Sequence, residues 1–93
     1  MPYTIIYLPK AEKYLADLDD DDYDRIKESV EEIKKNPYRR RPKADIKKLG
    51  GFSSPPMYRL RVGRHRLRYF VDETEKTIHV TNAFPRSEDS DYR

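Results

Sequence analysis

The sequence contains no cysteine, no tryptophan and only three glycines among its 93 residues. Without cysteine there can be no disulfide framework, which suits the reducing cytoplasm. Neither of the two histidines has a partner spaced as a metal ligand, so we expect no metal and no cofactor. No apolar run approaches the roughly 20 residues that cross a bilayer. We therefore expect a cytoplasmic protein that does not bind the membrane.

Charge is abundant but strongly segregated along the chain. Charged residues make up 40% of the sequence, and the net charge is only +3. Residues 1–34 carry a net charge of −5, and residues 69–93 carry −3. Residues 35–68 hold twelve Lys/Arg against the single Asp45, a net charge of +11. Such a basic segment points to a polyanionic partner, and RNA is the first candidate.

The acidic first third predicts one strand and two helices. The β-branched and aromatic run from Tyr3 to Leu8 is typical of a strand. Pro9 suits the first turn of a helix, which apolar residues at helical spacing then continue to Leu18. The acidic run 19–22 favours the N-terminus of a second helix, because carboxylates stabilise that end. Pro37 ends this helix.

The remaining chain predicts a connection and three strands. Residues 35–56 contain four prolines and a Gly-Gly pair, which argue against a long regular element. Strands are expected over Met57–Val62, His65–Asp72 and Thr77–Phe84. The chain is then one α+β domain spanning residues 1–93, in the order β-α-α-β-β-β. Its helical hairpin should pack on one face of a small, mostly antiparallel sheet.

A predicted hairpin rich in arginine is the most informative segment of the sequence. It reads MYRLRVGRHRLRYFV from Met57 to Val71. Successive side chains of a strand point to opposite faces, so leucine and tyrosine should face the core. The other face should then be densely cationic, with five arginines: Arg59, Arg61, Arg64, Arg66 and Arg68.

Three segments together resemble the RelE/ParE superfamily of toxins from toxin–antitoxin pairs, and its RelE-like branch most. They are KLGG, YRLRVGRHRLRY and TIHVTNAFPRSEDSDY, and the resemblance covers essentially the whole chain. It implies a microbial-RNase-like, RelE-like fold. RelE-like toxins enter the ribosomal A site and cleave mRNA there without a metal, by attack of the ribose 2′-hydroxyl on the adjacent phosphate. The resemblance also implies a RelB-like antitoxin as partner.

The resemblance carries catalytic roles to five positions. These are Arg59 and Arg61 of the first hairpin strand, Arg66 of the second, and Arg86 and Tyr92 after the last strand. The family commonly has lysine at the first two positions, and arginine is a poor general base because it stays protonated. Tyr92 beside Arg86 is then the best candidate base, since nearby cations lower the pKa of a phenol.

Other basic residues are candidates for RNA and ribosome contacts without chemistry. They are Arg39, Arg40, Arg41, Lys43, Lys47 and Lys48 in the connection, with Arg64 and Arg68 giving electrostatic support in the hairpin. A solvated loop is the plain alternative for the connection. For the protein as a whole, two alternatives remain: a ParE-like toxin that poisons DNA gyrase, and an inactive homologue that binds RNA or ribosomes.

Overall fold

The computed structural model describes residues 2–50 and 54–89. The elements, in chain order, are β1 (Thr4–Tyr7), α1 (Pro9–Ala16), α2 (Asp20–Lys35), β2 (Asp45–Lys48), β3 (Tyr58–Val62), β4 (His65–Asp72), β5 (Thr77–Pro85) and the 3₁₀ turn η1 (Arg86–Glu88). No helix within these ranges is long and apolar enough to cross a membrane.

The two helices begin where the sequence predicts. Pro9 opens α1, and the Asp19 side chain caps α2 by accepting a 2.8 Å hydrogen bond from the backbone N–H of Asp22. An apolar stripe of α2 is buried, formed by Ile26, Val30 and Ile33. The predicted helical hairpin is therefore confirmed.

The strands form one mixed sheet in the order β1-β5-β4-β3-β2. Among the strands within these ranges, β1 and β5 pair in parallel and the other pairs are antiparallel, so the sheet is mostly antiparallel, as predicted. One face packs on the helices through fully buried side chains: Leu60, Leu67, Tyr69, Ile78 and Val80. The other face, which we call the open face, carries no helix of the described chain.

The strand β2 is the main departure from the sequence prediction. Residues 35–56 were expected to be a connection, yet Asp45–Lys48 pairs antiparallel with β3. Ile46 lies opposite Leu60 and joins the core, while Lys47 lies opposite Arg59 on the open face. A four-residue edge strand needs hydrogen bonds on one side only, so the surrounding prolines do not prevent it. The sheet thus has five strands rather than four.

A β-bulge changes which residues of β5 lie on the open face. Arg68 pairs with Asn82 but Tyr69 pairs with Val80, so Thr81 is the extra residue. A single extra residue reverses the side-chain alternation beyond it. As a result Phe84 lies opposite Arg66 on the open face.

Candidate functional site

Three arginines of the open face converge on one carboxylate. Asp89 directly follows η1 in the chain. Its Oδ2 lies 3.1 Å from Arg66 Nε and 3.5 Å from Arg59 Nη1. Its Oδ1 lies 4.0 Å from Arg68 Nη2. We call these four residues the arginine cluster. Their side chains together carry a net charge of +2.

The alternation of the hairpin builds this cluster. Leu60 and Leu67 point into the core, so Arg59 and Arg68, which are register partners, emerge together on the opposite face. Like charges directly opposite each other are destabilising. Asp89 lies among them and offsets part of that repulsion.

The cluster is largely withdrawn from water. The side chain of Arg66 is 6% exposed and that of Asp89 is 2% exposed. Burial, together with the nearby charge of Arg59, lowers the pKa of Arg66, and Asp89 opposes that shift. Arg66 also donates hydrogen bonds to the carbonyls of Gly63 and His65. The guanidinium is therefore fixed in place, as a group that stays protonated at neutral pH.

One donor of the cluster is unused. Arg59 Nε is buried and has no hydrogen-bond partner among the described residues. A buried donor of this kind is costly to leave unpaired. The cluster can therefore donate hydrogen bonds to more anionic oxygen atoms than the two of the Asp89 carboxylate.

Aromatic side chains border the cluster on the same face. The Arg68 guanidinium lies over the Phe84 ring, 5.3 Å from its centroid. Further along the sheet Phe70 and His79 stack at 4.7 Å. Flat rings beside cations are a common feature of surfaces that bind single-stranded nucleic acid.

Arg61 is on this face but is held away from the cluster. Its Nε lies 2.7 Å from Asp45 Oδ2, and its side chain is 51% exposed. Arg40 contacts the other oxygen of Asp45 at 3.2 Å. The structure thus brings together Arg59 and Arg66 of the predicted catalytic set, with Arg61 at the periphery.

Arg64 does not share the face of the other four hairpin arginines, contrary to the expected pattern. It sits in the β3–β4 turn, where Gly63 adopts φ +57°. Its guanidinium binds Asp22 of α2 at 3.1 Å, on the helix side of the sheet. A two-residue turn interrupts the alternation, which is why the strand pattern failed at this position.

The adjacent His65 is buried in a polar network that the sequence did not reveal. Its Nε2 lies 3.0 Å from Asp22 Oδ2, and its Nδ1 lies 2.8 Å from the Tyr14 hydroxyl. The hydrogen bond to His65 is the largest cause, followed by Arg64, of a lowered pKa at Asp22. We call Tyr14, Asp22, Arg64 and His65 the histidine network.

Arg86 lies beside the histidine network. Its backbone N–H donates to the Arg64 carbonyl at 2.8 Å. Its exposed side chain lines an open cleft of about 530 Å³ with Tyr14, Arg64, His65, Pro85 and Ser87. The predicted partner Tyr92 lies outside the described residues. The pairing of Arg86 with Tyr92 therefore stays a prediction.

The predicted RNA contacts of the connection divide into inward and outward groups. Arg41 is directed inward, where it donates to the carbonyls of Glu32, Asn36 and Arg39 at the end of α2. Arg39, Arg40, Lys43, Lys47 and Lys48 are exposed. Of these, Lys47 lies beside Arg59 on the open face.

Sequence reasoning missed Asp89, the member that completes the arginine cluster. Several acidic residues follow the last strand, and no spacing rule indicates which of them folds back. Within the described ranges, no group of three or more His, Cys, Asp or Glu is placed to hold a metal ion. The arrangement is suited to binding an anion through guanidinium groups.

Comparison with known proteins identifies relatives along nearly the whole chain. A family model described as the ParE toxin of type II toxin–antitoxin systems, parDE, matches residues 5–89. No curated protein sequence matches. Solved structures similar to this chain include the archaeal RelE–RelB complex from Pyrococcus horikoshii OT3, at 28% identity and TM-score 0.78, covering 96% of this chain and 100% of that one.

Two further structures extend the comparison. The RelB–RelE antitoxin–toxin complex from Methanococcus jannaschii is 29% identical with TM-score 0.67, covering 94% of this chain and 96% of that one. The isolated E. coli RelE toxin is 19% identical with TM-score 0.64, covering 97% and 90%. At that identity the last likeness concerns the fold alone. The predicted α+β, RelE-like fold is confirmed.

Proposed function

The chain belongs to the ParE toxin family of type II toxin–antitoxin systems, within the RelE/ParE superfamily, and we propose that it acts as a ribosome-dependent endoribonuclease. It would cleave mRNA in the ribosomal A site and so inhibit translation. The observation that supports this activity is the arginine cluster, in which Arg59, Arg66 and Arg68 converge on one anionic group.

The proposed reaction is a transesterification within the mRNA. The 2′-oxygen loses its proton and bonds to the adjacent phosphorus, the bond from phosphorus to the 5′-oxygen breaks, and that oxygen takes up a proton. The products are a 2′,3′-cyclic phosphate and a 5′-hydroxyl. Charge accumulates on the phosphate oxygens in the transition state, where fixed guanidinium groups are most effective.

Within this proposal, each residue has a separate task. Arg59, Arg61 and Arg66 hold and neutralise the scissile phosphate, while Tyr92 beside Arg86 transfers the proton. The arginines cannot replace Tyr92 as base, because a guanidinium remains protonated. Much of the rate would come from positioning of the RNA, with the ribosome supplying part of the geometry.

The proposed partners follow from the same surface. Lys47, next to Arg59, is placed to contact RNA phosphates, and Arg68 adds positive charge on the same face. The other candidates are Arg39, Arg40, Lys43 and Lys48, which are nearby in sequence, and Arg64, which adds positive charge from the helix side of the sheet. Arg41 is the weakest candidate, since its donors are used at the end of α2. A RelB-like antitoxin is the proposed protein partner, because two of the similar structures are RelE–RelB complexes. Ribosome and antitoxin would both be met in the cytoplasm.

A second candidate function has one observation in its favour. The family model that matches is that of the ParE toxin, so a toxin that poisons DNA gyrase through protein contacts is the alternative. Arginine in place of lysine at positions 59 and 61 also leaves an inactive RNA-binding homologue to be tested. In the gyrase alternative Arg86 and Tyr92 would be dispensable, and the inactive homologue would bind ribosomes without cutting mRNA.

Induced expression followed by mapping of mRNA 5′ ends tests the proposal. We expect arrested translation and cuts that keep a fixed phase with the codons. Arg86→Ala and Tyr92→Ala should abolish most of the toxicity, whereas Arg25→Ala, an exposed arginine of α2, should not. Unchanged mRNA ends with DNA damage signalling would favour the gyrase alternative, and full toxicity of both variants would overturn the site assignment.

A further inference from the structure

We propose that the Asp89 carboxylate occupies the phosphate-binding position of this protein, so that RNA binds in the arginine cluster only after Asp89 has left it. This inference rests on the proposed function and adds to it a built-in competitor for the substrate. It also adds Arg68 to the residues proposed to bind the phosphate.

The contacts of Asp89 are those expected for an anion that substitutes for phosphate. A carboxylate and a phosphodiester each present two terminal oxygens that share one negative charge. The two oxygens of Asp89 are divided between Arg66 and Arg59 on one side and Arg68 on the other. The guanidinium group of arginine is planar and can donate two parallel hydrogen bonds to one phosphate, so it is well suited to binding phosphate.

The carboxylate does not saturate the cluster. Its distance to Arg59 Nη1 is 3.5 Å, longer than the ~2.8 Å typical of a strong charge-assisted hydrogen bond. Arg59 Nε is a buried donor without a hydrogen-bond partner in the described ranges. A phosphate, whose oxygens lie further apart, can engage these donors more fully.

Asp89 is carried by a short segment outside the sheet and the two helices. The 3₁₀ turn η1 has three residues, and 3₁₀ hydrogen bonds are weaker than those of an α-helix. The Asp89 N–H donates to the Arg86 carbonyl at 3.1 Å, and the Arg86 N–H donates to Arg64. Unwinding this one turn withdraws the carboxylate while the arginines stay fixed by β3 and β4.

The competition has a consequence for selectivity. With Asp89 in place the cluster carries a charge of +2, and without it the charge is +3. A free phosphate must displace an intramolecular carboxylate, whose effective concentration is high. Cellular phosphates and free RNA would therefore bind weakly, whereas mRNA held in place by the ribosome would compete successfully.

Binding of inorganic phosphate to the purified protein tests this inference, with Asp89→Asn as the variant and Glu88→Gln as its matched control. Both substitutions remove one negative charge from the same short segment, but of the two residues it is Asp89 that forms ion pairs with Arg59 and Arg66 in the described structure. By calorimetry we expect Asp89→Asn to bind phosphate about tenfold more tightly or better, the scale of one charge-assisted hydrogen bond. Glu88→Gln should change the affinity by about twofold at most. Equal affinities in Asp89→Asn and the wild type, or equal gains in both variants, would overturn the inference.

A measurement on the wild-type protein covers the case in which Asp89→Asn fails to fold. Addition of phosphate, observed by NMR, should shift the Nε–H signals of Arg59 and Arg66 together with the Asp89 carboxyl carbon. Phosphate saturation that shifts the arginine signals and leaves the Asp89 carboxyl unchanged would show that Asp89 does not leave, and so reject the proposal.

The two proposals can fail separately. If Asp89→Asn gains phosphate affinity but neither protein cleaves mRNA on ribosomes, the proposed function fails and the competitor role stands. If the wild type cleaves mRNA and Asp89→Asn has an unchanged phosphate affinity, the proposed function stands and Asp89 is a structural counter-ion only.

Discussion

The histidine network and the arginine cluster lie on opposite faces of the sheet. Each contains one of two consecutive residues of β4, His65 and Arg66. His65 is buried toward the helices, and Arg66 is buried toward the open face. In the histidine network Asp22 accepts from both His65 and Arg64, so one carboxylate meets one permanent cation. In the arginine cluster Asp89 is, among the described residues, the carboxylate that faces three permanent cations.

This difference separates a structural role from a binding role. The carboxylate of the histidine network belongs to α2, a helix of 16 residues whose apolar side chains are part of the core. The carboxylate of the arginine cluster directly follows the three-residue turn η1, and its one negative charge is smaller than the positive charge of the three arginines. Excess charge held by a rigid sheet is what an anionic ligand requires.

Loss of Arg66 should have the largest effect on stability. Arg66→Ala removes a buried partner of Asp89 and two hydrogen bonds to carbonyls, so we expect about 3 kcal/mol less free energy of unfolding. Arg64→Ala is the matched control, because that side chain is 75% exposed and its ion pair should contribute at most about 1 kcal/mol. Urea denaturation of both variants checks this. Equal losses of free energy of unfolding in the two variants would contradict the proposed difference between the arginine cluster and the histidine network.

Replacement of His65 should weaken the fold without weakening the chemistry. His65→Phe leaves the Tyr14 hydroxyl and the Asp22 carboxylate without their buried partner, at a cost of about 2 kcal/mol. Cleavage of mRNA per folded molecule should stay near the wild-type rate, measured well below the melting temperature. A loss of cleavage in a folded His65→Phe protein would assign the histidine network to the active site.

The histidine network should also make stability depend on acid. The pKa of Asp22 is lowered in the folded state, first by the hydrogen bond to His65 and then by Arg64. The ionised carboxylate therefore stabilises the protein above its unfolded pKa of about 3.8, and this contribution is lost as the pH falls through the lower folded pKa.

NMR titration of the Asp22 carboxyl carbon measures this shift directly. In His65→Phe the pKa of Asp22 should rise toward its ordinary value, and in Arg64→Ala it should rise less. A pKa that stays the same in both variants would contradict the assigned cause.

The smallest expected effect is on the salt dependence of ribosome binding, which tests which face of the sheet contacts RNA. Lys47 and Lys48 are neighbours in β2, but only Lys47 is a register partner of Arg59 on the open face. Lys47→Ala should reduce the slope of log affinity against log salt for ribosome binding by about 1, and Lys48→Ala should reduce it less. Filter binding at several salt concentrations provides the slopes, and the reverse order would place the RNA on the other face.

Periodicity predicted most of the fold. Helical spacing indicated α1 and α2, and alternation indicated β3, β4 and β5 close to their observed bounds. It failed at β2, because a four-residue strand at an edge is specified by its pairing with β3 rather than by its own composition. It also could not foresee the extra residue Thr81, which brings Phe84 to the open face.

By itself, the sequence determined the chemical character of the open face. Alternation separates Arg59, Arg66 and Arg68 from Leu60 and Leu67, because a strand cannot send neighbouring side chains to the same side. Only the tertiary structure decided which carboxylate each cation meets. Asp22 reaches His65 across 43 residues, and Asp89 reaches Arg66 across 23. Contacts so distant along the chain are set by the packing of whole elements, which no local pattern encodes.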